Sequence, residues 1–348
     1  HNGYYDFGSS NSYIKYDEYN NKSREMLIKN TDAQTMWSIP LASEHNATLG
    51  ASYKKEDLTD HTSNKLSDVS QIDNEQWSIF SEDEWRTSEL FALTGGIRYD
   101  HDGNFGGHIS PRLYGVLNAS DNLTVKGGIS TGFKAPSLRA TTPEWGQVSR
   151  GGNIYGNANL APEKSINYEV GVYYDKGEKF STSATVFYNQ FDDKISRIAC
   201  PLTQCTDGAN EFGSDPTTYV NVDEAVTQGF ELSASLKLSS KVSASANYTY
   251  TESEQKTGTY AGSPLNQLPT HLLQTSVNWV LSDAFSAWAR MHYRGEESQP
   301  TTGPSQSSLI APSYTTADLG ANYQLSNNIK LGVGVYNLFD KEISEVEY

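Results

Sequence analysis

The chain has 348 residues, with 26 lysines and arginines against 42 aspartates and glutamates, a formal charge of −16. That balance excludes a nucleic-acid binder, which needs cationic patches to displace phosphate counterions. No apolar run approaches the roughly 20 residues of a transmembrane helix, yet 22 Tyr, 28 Gly and 11% aromatic residues suit a membrane barrel, whose strands hide apolar residues by alternation.

The chain opens at His1 with neither a Met nor a basic signal segment, so it reads as a mature product or an excerpt. Residues 1–5 read as a partial strand. A short turn follows near 40–45, a loop at 57–73, a turn at 85–89 and a loop at 100–107. Ile109, Pro111, Leu113, Gly115 and Leu117 share one face of the next strand. A turn at 118–122 leads to Leu123, Val125, Gly127, Ile129, Thr131 and Phe133 on one face, with Thr124, Lys126 and Ser130 on the other. The longest loop, 134–163, precedes a turn at 175–179 and a loop at 193–217. Residues 230–238 alternate strictly, apolar at even positions. A turn at 238–242, a loop at 252–269 and a turn at 281–285 come next. Phe285, Ala287, Ala289, Met291 and Tyr293 then oppose Ser286, Trp288, Arg290 and His292, before a loop at 295–312 and a turn at 325–329.

Strands of this kind need one apolar and one polar environment. The alternation of short and long connections predicts a transmembrane, antiparallel, up-and-down all-β barrel, with short turns on one side and long loops on the other. A soluble sandwich has no reason for that alternation. About fifteen strands plus the partial one are expected. The chain starts inside a strand and stops before a return strand, so residues 1–348 read as part of a larger barrel domain. Trp77, Trp85, Tyr99, Phe133, Tyr188, Tyr250, Trp279, Tyr293, Tyr323 and Tyr336 lie near predicted strand ends, as interfacial girdles do.

Cys200 and Cys205 lie in a polar stretch without the further ligands a zinc site wants. A loop disulfide in an oxidising compartment is the expectation. Gly128-Ile129-Ser130-Thr131-Gly132 fits the nucleophile-elbow pattern, but it falls within an alternating strand rather than a strand–turn–helix. His101 and His108, with Asp100 and Asp102, read as a solvated hairpin tip. Neither an enzyme, a resident cofactor nor a metal site is expected.

Four segments in order are more specific. They are Ser110-Pro111-Arg112-Leu113; residues 126–138, which include Gly132-Phe133-Lys134-Ala135-Pro136-Ser137-Leu138; residues 159–171, with Asn159-Leu160-Ala161-Pro162-Glu163-Lys164-Ser165 and Glu169-Val170-Gly171; and Asn337-Leu338-Phe339-Asp340-Lys341. Together they resemble TonB-dependent outer-membrane receptors across essentially the whole chain, nearest the catecholate-siderophore branch of ferric enterobactin and colicin I receptors. Glu82-Asp83-Glu84-Trp85-Arg86 also resembles that branch. Ala161 stands where the family usually has Lys.

The resemblance implies a parent barrel of about 22 strands in the Gram-negative outer membrane. It also implies a plug and a TonB-binding segment preceding this chain, and a last strand following it. The implied activity is TonB-dependent uptake of a ferric siderophore, the transported ligand. Lipopolysaccharide is an implied neighbour, and colicins or phages are possible users. A trianionic ferric catecholate prefers guanidinium and aromatic partners, so Arg139, Trp145, Arg150 and Tyr155 of the longest loop are the ligand candidates. Arg98, Arg112, Lys126, Arg290 and His292 fall on the polar face and are expected to line the lumen. The alternatives are a passive porin, or a receptor for haem, cobalamin or another iron chelate. The glycines at 127, 128 and 132 leave room for a close neighbour such as a plug, and Pro111 suggests a bulge or a strand start.

Overall fold

The structure is a computed structural model, and it describes residues 1–62, 68–143, 145–149, 151–201, 205–206, 208–258, 261–299 and 309–343. β1 (Asn2–Tyr5), β2 (Gly8–Asn21), β3 (Met26–Pro40), β4 (His45–Asp60), β5 (Gln71–Arg86), β6 (Phe91–Asp102), β7 (Gly106–Ser120) and β8 (Leu123–Lys134) each pair antiparallel with the next. The following connection holds a one-turn helix, α1 (Leu138–Thr141), and two short strands, β9 (Gly146–Gln147) and β10 (Ile154–Tyr155). β11 (Glu163–Asp175) then pairs back with β8. The meander continues through β12 (Phe180–Ala199), β13 (Thr217–Lys237), β14 (Val242–Gln255), β15 (His271–Val280) and β16 (Phe285–Arg294). A side hairpin of β17 (Glu297–Gln299) and β18 (Leu309–Ala311) precedes β19 (Tyr314–Ser326) and β20 (Ile329–Val335), which complete the sheet. With β9, β10, β17 and β18 set aside, sixteen of the twenty strands form one meander, as the alternation predicts.

Register explains the composition. Leu117, Val125, Val172, Ala184, Leu232, Tyr248, Leu273 and Tyr293 stand opposite one another across eight successive strands. They form one outward row, in which Leu117, Val172 and Leu232 remain exposed. Exposed apolar rows of this length are stable only against lipid. Trp37, Trp85 and Trp279 edge the apolar band near the short turns. Trp77 with Tyr99 (5.5 Å), Tyr168 with Tyr188 (6.2 Å) and Phe230 with Tyr250 (5.5 Å) edge it toward the other side.

Three expectations need correction. Short and long connections do not alternate without a break: β2–β3 turns within residues 22–25 and β6–β7 within 103–105, both on the long-loop side. Asp102 Oδ1 makes the second turn possible by accepting the N–H groups of Asn104 and Phe105. Pro111 marks neither a bulge nor a strand start. It lies mid-strand opposite Ile97, and the β7–β8 register begins one residue later at Arg112, so its missing N–H falls where that ladder ends. Tyr336 leaves the girdle and packs on Trp288, 6.0 Å away on the polar face.

Candidate functional site

The sheet rises past the girdle on the long-loop side, where β12 and β13 reach 20 and 21 residues. The longest loop folds across this end instead of projecting from it. Its α1 turn sends the Arg139 guanidinium to Asp60 at the tip of β4, with Nη2 donating to Oδ2 at 2.9 Å. Asp60 is fully buried, so the pair is a structural one that a buried carboxylate requires. The same guanidinium lies 5.8 Å over the ring of Trp145, which is also fully buried.

The Pro-Glu-Lys-Ser segment docks the loop's far end. Asn157 Nδ2 donates to the Tyr219 carbonyl (2.8 Å). Asn221 brackets Ala161, accepting its N–H (2.8 Å) and donating to its carbonyl (2.9 Å). Only the backbone of Ala161 is used, which explains why this position tolerates a residue other than Lys. Glu163 receives Lys134 Nζ at 2.9 Å and the Ile195 N–H at 2.8 Å, with Lys194 at 3.6 Å. Burial disfavours its charge, but the Lys134 hydrogen bond, the Ile195 N–H and the Lys194 ammonium outweigh that and hold the carboxyl below its usual range.

A second loop locks onto the first. Cys200 and Cys205 form the expected disulfide, and both half-cystines pack with the buried Tyr155. β10 adds to β13 as a short parallel strand, with Ile154 opposite Thr217 and Tyr155 opposite Thr218. Arg197 donates to Thr217 Oγ1 (2.9 Å) and to the Gly151 carbonyl (3.3 Å), while Asn210 Nδ2 donates to the Ser149 carbonyl (2.6 Å).

The structure places three of the expected ligand collectors, Arg139, Trp145 and Tyr155, within the folded loop, with Trp145 and Tyr155 buried. Charge pairing and burial use all three to build the cap. Arg150 lies outside the described residues, but the backbone on each side of it, at Ser149 and Gly151, is held by Asn210 and Arg197. Sequence reading missed Asp60, Arg197, Asn210 and Asn221, because their partners lie 20 to 79 residues away and no local spacing marks them.

Arg98, Arg112, Lys126, Arg290 and His292 lie on the face opposite the apolar row. Arg98 Nε donates to Asp100 (2.8 Å), and its guanidinium covers Phe80. Arg112 pairs with Glu82 at 3.0 Å, two strands away. It can do so because Gly96 stands between them, where a Cβ would lie 3.1 Å from the Arg112 side chain. Lys126 Nζ sits 4.8 Å over Tyr173, Arg290 covers Trp288 at 4.6 Å, and His292 lies 4.0 Å from Asp318. Gly128 is likewise filled from within this chain: Tyr114 lies over it. A cavity of about 550 Å³, of mixed polar and apolar lining, opens on this face between β11–β14 and residues 265–268, with Lys194, Phe187 and Phe191 in its wall.

The closing motif has its own local logic. Asn337 adopts a left-handed backbone (φ 51°), a conformation Asn tolerates better than most residues. Its N–H donates to Asp318 (2.9 Å), and its side-chain amide both accepts from the Lys341 N–H and donates to the Lys341 carbonyl.

An apolar outer face, two aromatic girdles, short turns on one side and a folded cap over a charged inner face define an outer-membrane β-barrel. Residues 1–338 match the TonB dependent receptor-like β-barrel family, and the chain belongs to it. Its barrel is therefore one that crosses the Gram-negative outer membrane many times. It is 50% identical over 343 residues to the iron-regulated outer membrane virulence protein of Vibrio cholerae, covering 99% of this chain and 52% of that protein. It is 28% identical over 397 residues to a ferric enterobactin receptor of Pseudomonas aeruginosa, covering 99% and 52%. A crystal structure of a Pseudomonas aeruginosa ferric enterobactin receptor variant in complex with enterobactin superposes with a TM-score of 0.82 at 26% identity, covering 98% of this chain and 56% of that one. The chain thus spans about half the length of the relatives it matches.

Proposed function

We propose that this barrel serves a receptor that carries a ferric catecholate siderophore across the outer membrane in a TonB-dependent step. The interlocked cap over a charged and aromatic inner face is the observation that carries this reading. A passive pore needs no disulfide-backed, ion-paired cover over its mouth. The ligand is trianionic, so its landing point needs a cation that folding has not neutralised. This proposal assigns that role to Arg150, between Ser149 and Gly151, whose carbonyls accept from Asn210 and Arg197. Names of the relatives support the substrate class. A plug domain from the parent receptor fills the lumen, facing Arg98, Arg112, Lys126, Arg290 and His292, and engages TonB.

Tryptophan-fluorescence titration of the full-length receptor with ferric enterobactin, ferrichrome and haem tests this reading. Saturable quenching by the catecholate alone, weakened about tenfold or more by Arg150→Ala through loss of a charge-assisted contact, is the expected result. Saturation by another chelate alone would replace the substrate class. No response to any of them would favour a pore, to be read by conductance.

A further inference from the structure

Charge is unevenly placed along the short-turn rim. The turns after β3, β5, β7 and β15 carry Glu44, Glu89, Asp121 and Asp283. The neighbouring turns after β11 and β13 carry Lys176, Lys179, Lys237 and Lys241 instead, against Asp175 and Glu178. One backbone hydrogen bond joins the two turns, and another ties the second to the next strand. Lys237 N–H donates to the Lys179 carbonyl at 2.9 Å, and the Lys241 carbonyl accepts from Val280 on the next strand at 2.7 Å. Lys237 pairs with the outlying Glu178, whereas Lys176, Lys179 and Lys241 enter no ion pair with the described residues. In a chain of charge −16, this rim is locally positive.

The apolar band meets the patch directly. Leu236, Leu238, Trp279 and Val280 are exposed beside it, Leu238 by 61%. Lysines at the edge of such a band lay their stems along the acyl region and hold their ammoniums at headgroup level. An acidic protein partner would use the lysines but not the adjoining apolar edge. We propose that Lys176, Lys179 and Lys241, beside the Lys237–Glu178 pair, form a headgroup site for anionic phospholipid in the periplasmic leaflet. The proposal rests on the outer-membrane placement of the barrel, which puts the short turns in the periplasm, and not on the identity of the transported ligand.

Native mass spectrometry of the full-length receptor, released from detergent with equal phosphatidylglycerol and phosphatidylethanolamine, tests it. Each surface lysine is worth about fivefold toward an anionic headgroup. Wild type should retain phosphatidylglycerol over phosphatidylethanolamine by at least that factor. The variant Lys176→Gln/Lys179→Gln/Lys241→Gln should lose the preference. Lys29→Gln/Lys55→Gln, with substitutions at the opposite rim, should keep it. Retained heat-modifiable mobility on gels and unchanged siderophore quenching confirm that each variant is folded. If the triple variant is not folded, Lys176→Gln/Lys179→Gln is measured in its place and should lose at least half of the preference. Equal retention of the two lipids by wild type, or an undiminished preference in the folded lysine variant, would overturn the proposal.

Discussion

The Arg139–Asp60 pair shows how a residue suited to ligand capture is used to hold a loop. Asp60 has no exposure, and removing the cation beside a buried carboxylate costs about 3–5 kcal/mol. Arg139→Ala should therefore free the long loop while the barrel stays folded. Limited proteolysis should show new cleavage within residues 135–162, with little change in heat-modifiable mobility. Arg150→Ala should do the reverse, lowering ligand affinity without new cleavage. Gly128 makes a different demand. A Cβ there would lie 2.3 Å from the Leu113 carbonyl and 2.6 Å from the Tyr114 ring. Gly128→Val should cost about 1–3 kcal/mol through overpacking, read as a lower unfolding temperature on heated gels. The sequence marks Gly128 as a place where something comes close. It does not show that the close neighbour is Tyr114 on the adjacent strand.

At the scale of elements, two latches join the cap to the strands. Glu163 clamps β8, β11 and β12 through Lys134, the Ile195 N–H and Lys194. Its pKa is depressed in the folded state, so the stabilisation is complete above the ordinary value of 4.5 and is lost as pH falls through the lower folded value. Hydrogen exchange around residues 134 and 195 should rise below pH 4.5 in wild type. In Glu163→Gln it should already be raised at neutral pH. The Cys200–Cys205 bridge closes a small loop worth about 2 kcal/mol on chain-entropy grounds. Reduction should expose residues 200–216 to protease and loosen Tyr155 while leaving strand content unchanged by circular dichroism. Strand placement was legible in the sequence because alternation and turn residues are local signals. The tight β2–β3 and β6–β7 connections were less legible, since polar residues at 100–107 read as loop although Asp102 folds them into a turn.

For the whole molecule, the motifs located the family and the alternation located the membrane. The fate of the long loop was not legible, because a guanidinium or an indole in a polar stretch looks the same whether it meets a ligand or a carboxylate 79 residues away. In the structure Arg139 meets that carboxylate, and Trp145 and Tyr155 are buried within the folded loop. The proposed function is energised passage of a ferric catecholate. Its most direct test is uptake of radiolabelled ferric enterobactin by cells whose only catecholate receptor is the full-length protein, with and without a protonophore. Saturable accumulation that the protonophore abolishes and that Arg150→Ala shifts to higher ligand concentration is the expected result. Entry that is unsaturable and indifferent to the protonophore would contradict it.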